Sequence, residues 1–264
     1  MGTWGMGGKY ERDESNREDS IKSLRFGLEI GYRLIDTAEL YGRGLAEEIV
    51  GQAIKPFKRE EIFIISKVWL DNLKYDAVIN SAKNSLARLG TNYIDLYLIH
   101  WSKEHQAEKS VPLEETMSAM EYLADQKLIK QIGVSNAGVD LLKQTQSCLK
   151  NFKLAANQIE FNLIDRSANK DILPYCQSQG IKLIAYRPLT KGNLNWAENQ
   201  VIKKLCVKYN KTPAQIILNW LIRLDLTPIP KASNFEHLTE NYGALGWQMD
   251  SEDMDLINRT DFND

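Results

Sequence analysis

Three cysteines and three histidines are all that this 264-residue chain has of the residues that build disulfide frameworks and most metal sites. Cys148, Cys176 and Cys206 are far apart, odd in number and set in helical patterns. This argues against a disulfide framework and for a reducing cytoplasm, with all three expected as core thiols. His100, His105 and His237 form no HExxH or comparable set, so no metal is expected. No apolar stretch approaches the roughly 18 residues needed to cross a bilayer, and the N-terminus lacks the order of a signal peptide. Excess charge of one sign is missing as well: 33 Lys and Arg stand against 35 Asp and Glu, a formal net charge of −2. The densest basic cluster, Lys203-Lys204, falls on the solvated face of a helical pattern, so nucleic acid is not expected as a partner. GxSxG is absent, and the glycines at 2, 5, 7 and 8 precede charged, polar sequence rather than the strand-to-helix turn that GxGxxG serves. What remains is a soluble cytoplasmic protein, expected as a monomer with no membrane attachment, that handles a small molecule.

The composition, 43% hydrophobic and 26% charged, is that of an ordinary globular protein. Its organisation is an alternation. Short apolar runs read as strands at Tyr32–Thr37, Ile62–Val68, Tyr93–His100, Lys130–Ser135, Ala155–Phe161, Lys182–Tyr186 and Leu226–Pro230, with the continuous apolar character of parallel strands buried on both faces. Amphipathic segments of helical period separate them, at about 19–31, 44–55, 74–89, 114–127, 138–148, 169–179, 199–209 and 213–224. Two further helices are predicted at 234–243 and 251–260. One more strand at the front would close an α/β (β/α)8 TIM barrel of parallel strands. Only Met1–Trp4 remains for it, so strand 1 is short or the chain begins upstream. No linker or low-complexity stretch interrupts 1–264, and a single domain is expected.

Active sites of such barrels form at the C-terminal ends of the strands. Those ends are chemically selective here. Strand 2 closes on Asp36, with Tyr41 five residues on in DTAELYG; strand 3 closes on Lys67 and strand 4 on His100. Each alone is most simply a structural residue, but four at successive strand ends suit one task, proton delivery to a carbonyl oxygen as hydride reaches its carbon. A phenol with an ordinary pKa of about 10 is a weak acid. An adjacent ammonium favours the phenolate and lowers that value, while a carboxylate keeps the ammonium charged and fixed. Tyr41 is then the general acid, Lys67 its tuner, Asp36 the anchor of Lys67, and a neutral His100 a positioning donor to the substrate oxygen.

The segments GTWGMGG (2–8), DTAELYG (36–42), ISKVW (65–69), LIHW (98–101), GVSN (133–136), NQIEFN (157–162), AYRPL (185–189) and IPKASN (229–234) resemble the aldo-keto reductase superfamily. They come in family order over nearly the whole chain. The resemblance implies a (β/α)8 barrel that binds NADPH, with NADH as the other candidate, and reduces aldehydes or ketones to alcohols without a metal. It places Gly2, Thr3 and Asp36 on the nicotinamide side of the cofactor, and Ser135, Asn136 and Gln158 on its carboxamide. Tyr186 then stacks on the nicotinamide ring, and Arg187 and Leu189 lie near the pyrophosphate. Lys231, Ala232, Ser233, His237, Glu240 and Asn241 fall at the adenosine end. A Ser-Asn-Gln set offers the donors and acceptors that an amide needs, and a flat ring offers a face to a heterocycle. Trp4, Trp69 and Trp101 match aromatic pocket positions and are expected to wall the substrate, whereas Trp196, Trp220 and Trp247 lack that context and read as packing residues.

Several positions depart from the family pattern. Position 237 is commonly an arginine that pairs with the 2′-phosphate; a histidine there, mostly neutral at pH 7, weakens the expected preference for NADPH. The usual N-terminal hairpin is missing, and the segments that often shape the pocket are short, which implies an open, permissive site. An alternative from the same family is a cofactor-sensing subunit with little turnover, but no long tail or large apolar surface segment points to a partner. A carbon–carbon double-bond reductase is the third reading, and His100 speaks against it, because that activity is associated with an acidic residue in its place.

Overall fold

The computed structural model describes residues 1–100, 111–190 and 196–262. Its centre is a parallel sheet with strands in chain order: β1 Leu34–Asp36, β2 Phe63–Val68, β3 Ile94–Ile99, β4 Ile129–Ser135, β5 Leu154–Glu160, β6 Lys182–Tyr186 and β7 Leu226–Pro228. Neighbours pair in parallel throughout. Around it lie α1 Arg17–Ile30, α2 Leu45–Ile54, α3 Tyr75–Leu89, α4 Leu113–Asp125, α5 Val139–Cys148, α6 Ile172–Gln179, α7 Gln200–Tyr209 and α8 Pro213–Arg223, followed by α9 Phe235–Tyr242 and α10 Ser251–Arg259. The boundaries follow local chemistry. Helix α8 opens on a capping box between Thr212 and Gln215 with a proline in its first turn, which satisfies amides that have no partner inside the helix.

Met1–Thr3 closes the sheet on itself. Asp36 N donates to Met1 O at 2.8 Å and Thr3 N to Asp36 O at 3.0 Å, while Gly2 N donates to Pro230 O, beyond β7, at 3.1 Å. The short first strand is therefore a three-residue ribbon that joins both edges, and the molecule is a (β/α)8 barrel whose first strand has shrunk to a bridge.

Two apolar layers hold the barrel. The outer one lies between sheet and helices, with Leu24, Leu28, Ile49, Ile64, Tyr97, Met117 and Trp220 all at most 1% exposed. The inner one is smaller and comprises Ile65, Leu96, Leu98, Ala156, Ile184 and Ile229. Side chains alternate along a strand, so Ile64 and Ile65 necessarily belong to different layers. Of the three cysteines expected as core thiols, Cys176 on α6 is buried, whereas Cys148, the last residue of α5, and Cys206 on α7 are half-buried and pack against the margin of the outer layer. Trp220 packs against Phe161 and donates to Asn258 Oδ1 at 2.9 Å.

The inner layer leaves no room for a side chain at Gly133 in β4, where an added Cβ would lie 2.5 Å from Leu98 Cδ2 and 2.8 Å from Ala156 O. Gly133→Ala is expected to cost about 1–3 kcal/mol through overpacking, read as a fall in thermal midpoint of roughly 2–4 °C per kcal/mol. An unchanged midpoint would mean that the barrel interior is slack.

Candidate active site

The inward rows of successive strands turn from apolar to polar at one rim. In β1 the row ends on Asp36, in β2 Phe63 and Ile65 lead to Lys67, and beyond β3 Leu96 and Leu98 lead to His100. Ser135 in β4 and Gln158 in β5 pair in register, and Tyr186 ends β6. Parallel strands in close register bring the same residue parity to the same height, so this rim is a ring of polar groups above an apolar plug.

Lys67 is the hub of the ring. Its ammonium, 0% exposed, donates to both oxygens of Asp36 at 2.9 Å, to Thr37 O at 2.8 Å and to the Tyr41 hydroxyl at 3.1 Å. Asp36 Oδ1 also accepts from Gln158 Nε2 at 2.6 Å. Burial disfavours the charged lysine, but the charge of Asp36, with Tyr41 and the hydrogen bonds, outweighs it and raises the Lys67 pKa. Tyr41 corrects one expectation. Lys67 does pull the phenol down, yet burial is the larger effect and the net shift is upward. The phenol therefore stays protonated at neutral pH. His100 is driven well below the usual imidazole range, first by burial and then by the Lys67 charge, and is neutral. Its ring stands edge-on to Tyr41 at 5.7 Å, and its Nδ1 is buried without a hydrogen-bond partner among the described residues.

The loop after β1 aims Tyr41. Gly42, Arg43 and Gly44 are all left-handed, at φ 54°, 51° and 88°, which turns the chain sharply behind the tyrosine. A Cβ on Gly42 would lie 2.1 Å from Gly7 O, so only glycine lets the N-terminal loop pack there. Trp4 meets the Tyr41 ring edge-on at 4.9 Å, and Trp69 meets His100 at 5.2 Å. Both tryptophans are half-buried and flank the polar ring, while Trp101 lies outside the described residues. Sequence reasoning missed Tyr10, exposed and edge-on to Trp4 at 5.2 Å, because an aromatic in a polar loop carries no periodic signal. It also missed Glu39, whose Oε1 accepts from Trp69 N at 2.6 Å and Asn72 Nδ2 at 3.0 Å and so ties the Tyr41 loop to the Trp69 loop. Its place inside DTAELYG was the available hint.

The residues assigned to a dinucleotide form two groups. In the first, Gly2 and Thr3 lie against Asp36, with Thr3 Oγ1 donating to Asp36 O at 2.9 Å. Asn136 links the rest: its N donates to Gln158 O at 2.7 Å, its Nδ2 to Ser135 Oγ at 3.1 Å, and its Oδ1 accepts from the Tyr186 hydroxyl at 2.9 Å. Amide and hydroxyl groups converge here beside a half-buried ring, a donor set that fits a carboxamide on a flat heterocycle. Arg187 is left-handed at φ 50° and its guanidinium pairs with Glu160 at 2.9 Å, which offsets its charge, and Leu189 packs on the core. In the second group, Ala232 and Asn241 are buried, Ser233 O accepts from Ser23 Oγ at 2.8 Å, and Glu240 O accepts from Gln215 Nε2 at 3.0 Å. His237 is exposed in the first turn of α9, with its N donating to the capping Asn234 Oδ1 at 2.7 Å. Lys231 stands at the head of this segment.

Comparison with known proteins agrees with this picture. A model of the Aldo/keto reductase family matches residues 1–261. A methylglyoxal reductase of Escherichia coli, YeaE, is 36% identical over 263 residues, covering 98% of this chain and 89% of that protein. A thermostable aldo-keto reductase solved with the inhibitor epalrestat superposes with a TM-score of 0.91 at 40% identity, covering 98% of this chain and 93% of that one. An aldo/keto reductase of Klebsiella pneumoniae, solved with NADP and acetate, gives 0.86 at 34% identity, with 98% and 89% covered. Among the described residues no His, Cys, Asp and Glu cluster could hold a metal, and no helix is long and apolar enough to cross a membrane.

The buried pair at the hub dictates a stability test. Lys67→Met leaves the Asp36 carboxylate buried and unpaired and is expected to cost about 3–5 kcal/mol. Adding Asp36→Asn removes that charge and should recover most of the loss. Urea midpoints of the single and double variants check this; a single variant as stable as the wild type would show that Asp36 reaches water by another route.

Proposed function

The chain belongs to the aldo/keto reductase family, and from the ring of polar groups at its barrel rim we propose that it reduces the carbonyl of a small aldehyde or ketone with NADPH, Tyr41 serving as proton donor. The observation that carries this reading is the Lys67 ammonium, in hydrogen-bond contact with Asp36 and the Tyr41 hydroxyl at once. Ser135, Asn136 and Gln158 would hold the carboxamide of the cofactor, Tyr186 would lie along its ring, and Lys231 and the start of α9 would face its adenosine phosphate. Bound in this way, the reduced nicotinamide supplies hydride to the carbonyl carbon.

This chain's own residues do the rest. The carbonyl oxygen sits between the Tyr41 hydroxyl and the neutral His100, whose ring stands 5.7 Å from that of Tyr41 and positions it. Tyr41 donates its proton to that oxygen as negative charge develops there, and the resulting phenolate is stabilised by Lys67 at 3.1 Å. Burial holds the proton on Tyr41 until the oxygen needs it, and Asp36 keeps Lys67 charged and in place. Trp4 and Trp69 form apolar walls that admit a compact substrate and exclude water. A small dicarbonyl of the kind that the E. coli relative's name specifies suits this open rim.

Tyr41→Phe should lower carbonyl reduction by on the order of 10²–10⁴ while NADPH affinity is unchanged, measured by NADPH oxidation with a panel of aldehydes, ketones and sugars alongside cofactor titration. Substantial turnover by that variant would remove Tyr41 from the mechanism.

The pH profile is a second check. Because Tyr41 is raised and His100 lowered, reduction should show no break near the ordinary histidine value of about 6.5 and should decline only in the alkaline range where the phenol deprotonates, above its ordinary value of about 10. A loss of kcat/KM centred near neutrality contradicts this.

Cofactor choice follows the same electrostatics. With histidine at 237 and Arg187 paired to Glu160, the preference for NADPH over NADH is modest for the family, and His237→Arg is expected to tighten NADPH about tenfold and leave NADH unchanged. Equal NADPH dissociation constants in the two proteins would show that position 237 does not read the phosphate.

A further inference from the structure

The N-terminal loop places a second lysine, Lys9, next to the glycine turn that Lys231 reaches. Gly5 and Gly8, left-handed at φ 84° and 99°, face each other across a tight antiparallel turn. Asn16 clamps it by accepting from Gly7 N at 2.8 Å and donating to Gly5 O at 3.1 Å. Lys9 follows directly, with its backbone fixed by the bond from Gly42 N to Lys9 O at 2.8 Å. From the other end of the chain, Lys231 follows Pro230, to which Gly2 is bonded, and its ammonium reaches the same turn: a Cβ on Gly5 would lie 3.3 Å from Lys231 Nζ. The two lysines thus arrive at one glycine turn from opposite ends of the chain.

Among the described residues nothing neutralises them. Neither makes an ion pair among the described residues, and the nearby carboxylates are committed elsewhere, Glu11 to Arg43, Glu14 to Arg12 and Arg17, and Glu48 to Arg12. Burial, and then the charge of Lys9, holds the Lys231 pKa below its ordinary value. Both lysines are exposed at this turn, open to an anion that relieves the repulsion between them.

We propose that Lys9 and Lys231 jointly bind a phosphate group of the dinucleotide, Lys9 supplying a second positive charge where position 237 offers no arginine. The inference rests on the reading of this chain as an NADPH-dependent reductase. A phosphate ester with close to two negative charges is matched by two ammonium groups and only half matched by one. Ammonium groups act as point charges, so this site needs no planar fork and tolerates histidine at 237. The 2′-phosphate and the pyrophosphate share this chemistry, and the paired cofactors distinguish them.

Dissociation constants for NADPH and NADH, followed by quenching of tryptophan fluorescence at several salt concentrations, test the proposal in wild type, Lys9→Gln and Lys9→Arg. Lys9→Gln should weaken NADPH about tenfold and flatten the salt dependence, because one screened attraction is gone, whereas Lys9→Arg should bind as wild type does. Weakening of NADPH alone assigns the 2′-phosphate, and equal weakening of both cofactors assigns the pyrophosphate. Unchanged NADPH affinity and salt dependence in Lys9→Gln overturn the proposal, as does an equal loss in Lys9→Arg, which would make Lys9 a determinant of loop geometry rather than charge. A wild type that binds neither dinucleotide would bring down the reductase reading itself, an outcome visible before any variant is compared.

Discussion

A lysine ammonium removed from water is the constraint on which the rest of the rim depends. An isolated buried charge of this kind costs several kcal/mol, and Lys67 is compensated by four acceptor contacts: two to Asp36, one to Thr37 O and one to the Tyr41 hydroxyl. Each partner is thereby fixed by a group that itself has nowhere else to go. Asp36 cannot rotate away without stranding Lys67, and Gln158 holds Asp36 from across the barrel at 2.6 Å. The site is preorganised because its electrostatics leave one low-energy arrangement.

Preorganisation reaches outward through loops that have little secondary structure. The Tyr41 turn has three successive left-handed residues, a conformation that is unfavourable on its own and is held by the N-terminal loop packed against Gly42 and by Glu39 reaching to the Trp69 loop. The ribbon Met1–Thr3 does two jobs with one set of bonds: it joins β1 to the segment after β7, and it delivers Trp4 to the edge of the Tyr41 ring. The residues that close the barrel therefore also place an aromatic ring at the site.

The electrostatic balance at the rim is between burial and pairing, and it resolves differently at each group. For Lys67 pairing wins, so the charge persists; for Tyr41 and His100 burial wins, so both stay neutral. The rim thus holds a charged lysine against a protonated phenol, with a neutral imidazole at the edge of that phenol's ring. The ion pair of Arg187 with Glu160 commits that guanidinium to a neighbouring carboxylate, whereas Lys231 and Lys9 make no ion pair among the described residues.

Much of this was legible in the sequence, for a definite reason. Strands buried on both faces read as continuous apolar runs, so their polar termini Asp36, Lys67 and His100 stand out, and parallel pairing obliges residues at equivalent ends to share one rim. The helices between them keep a 3.6-residue period and were placed to within a few residues. The closing ribbon was harder, since three residues carry no period, and only the bonds to Asp36 and Pro230 show that they complete a barrel. The direction of the Tyr41 shift could not be read from residue types, because it is set by how much water the folded chain excludes, not by which neighbour is nearby. Glu160 and Arg187 meet because β5 and β6 pair Glu160 with Tyr186, and Lys231 reaches the N-terminal glycine turn because the barrel closes between them. The sequence by itself determined which groups stand at the ends of the strands, since periodicity and chemistry are local; the tertiary structure decided which charges face one another and which are dry, since distance and desolvation exist only once the ring is closed.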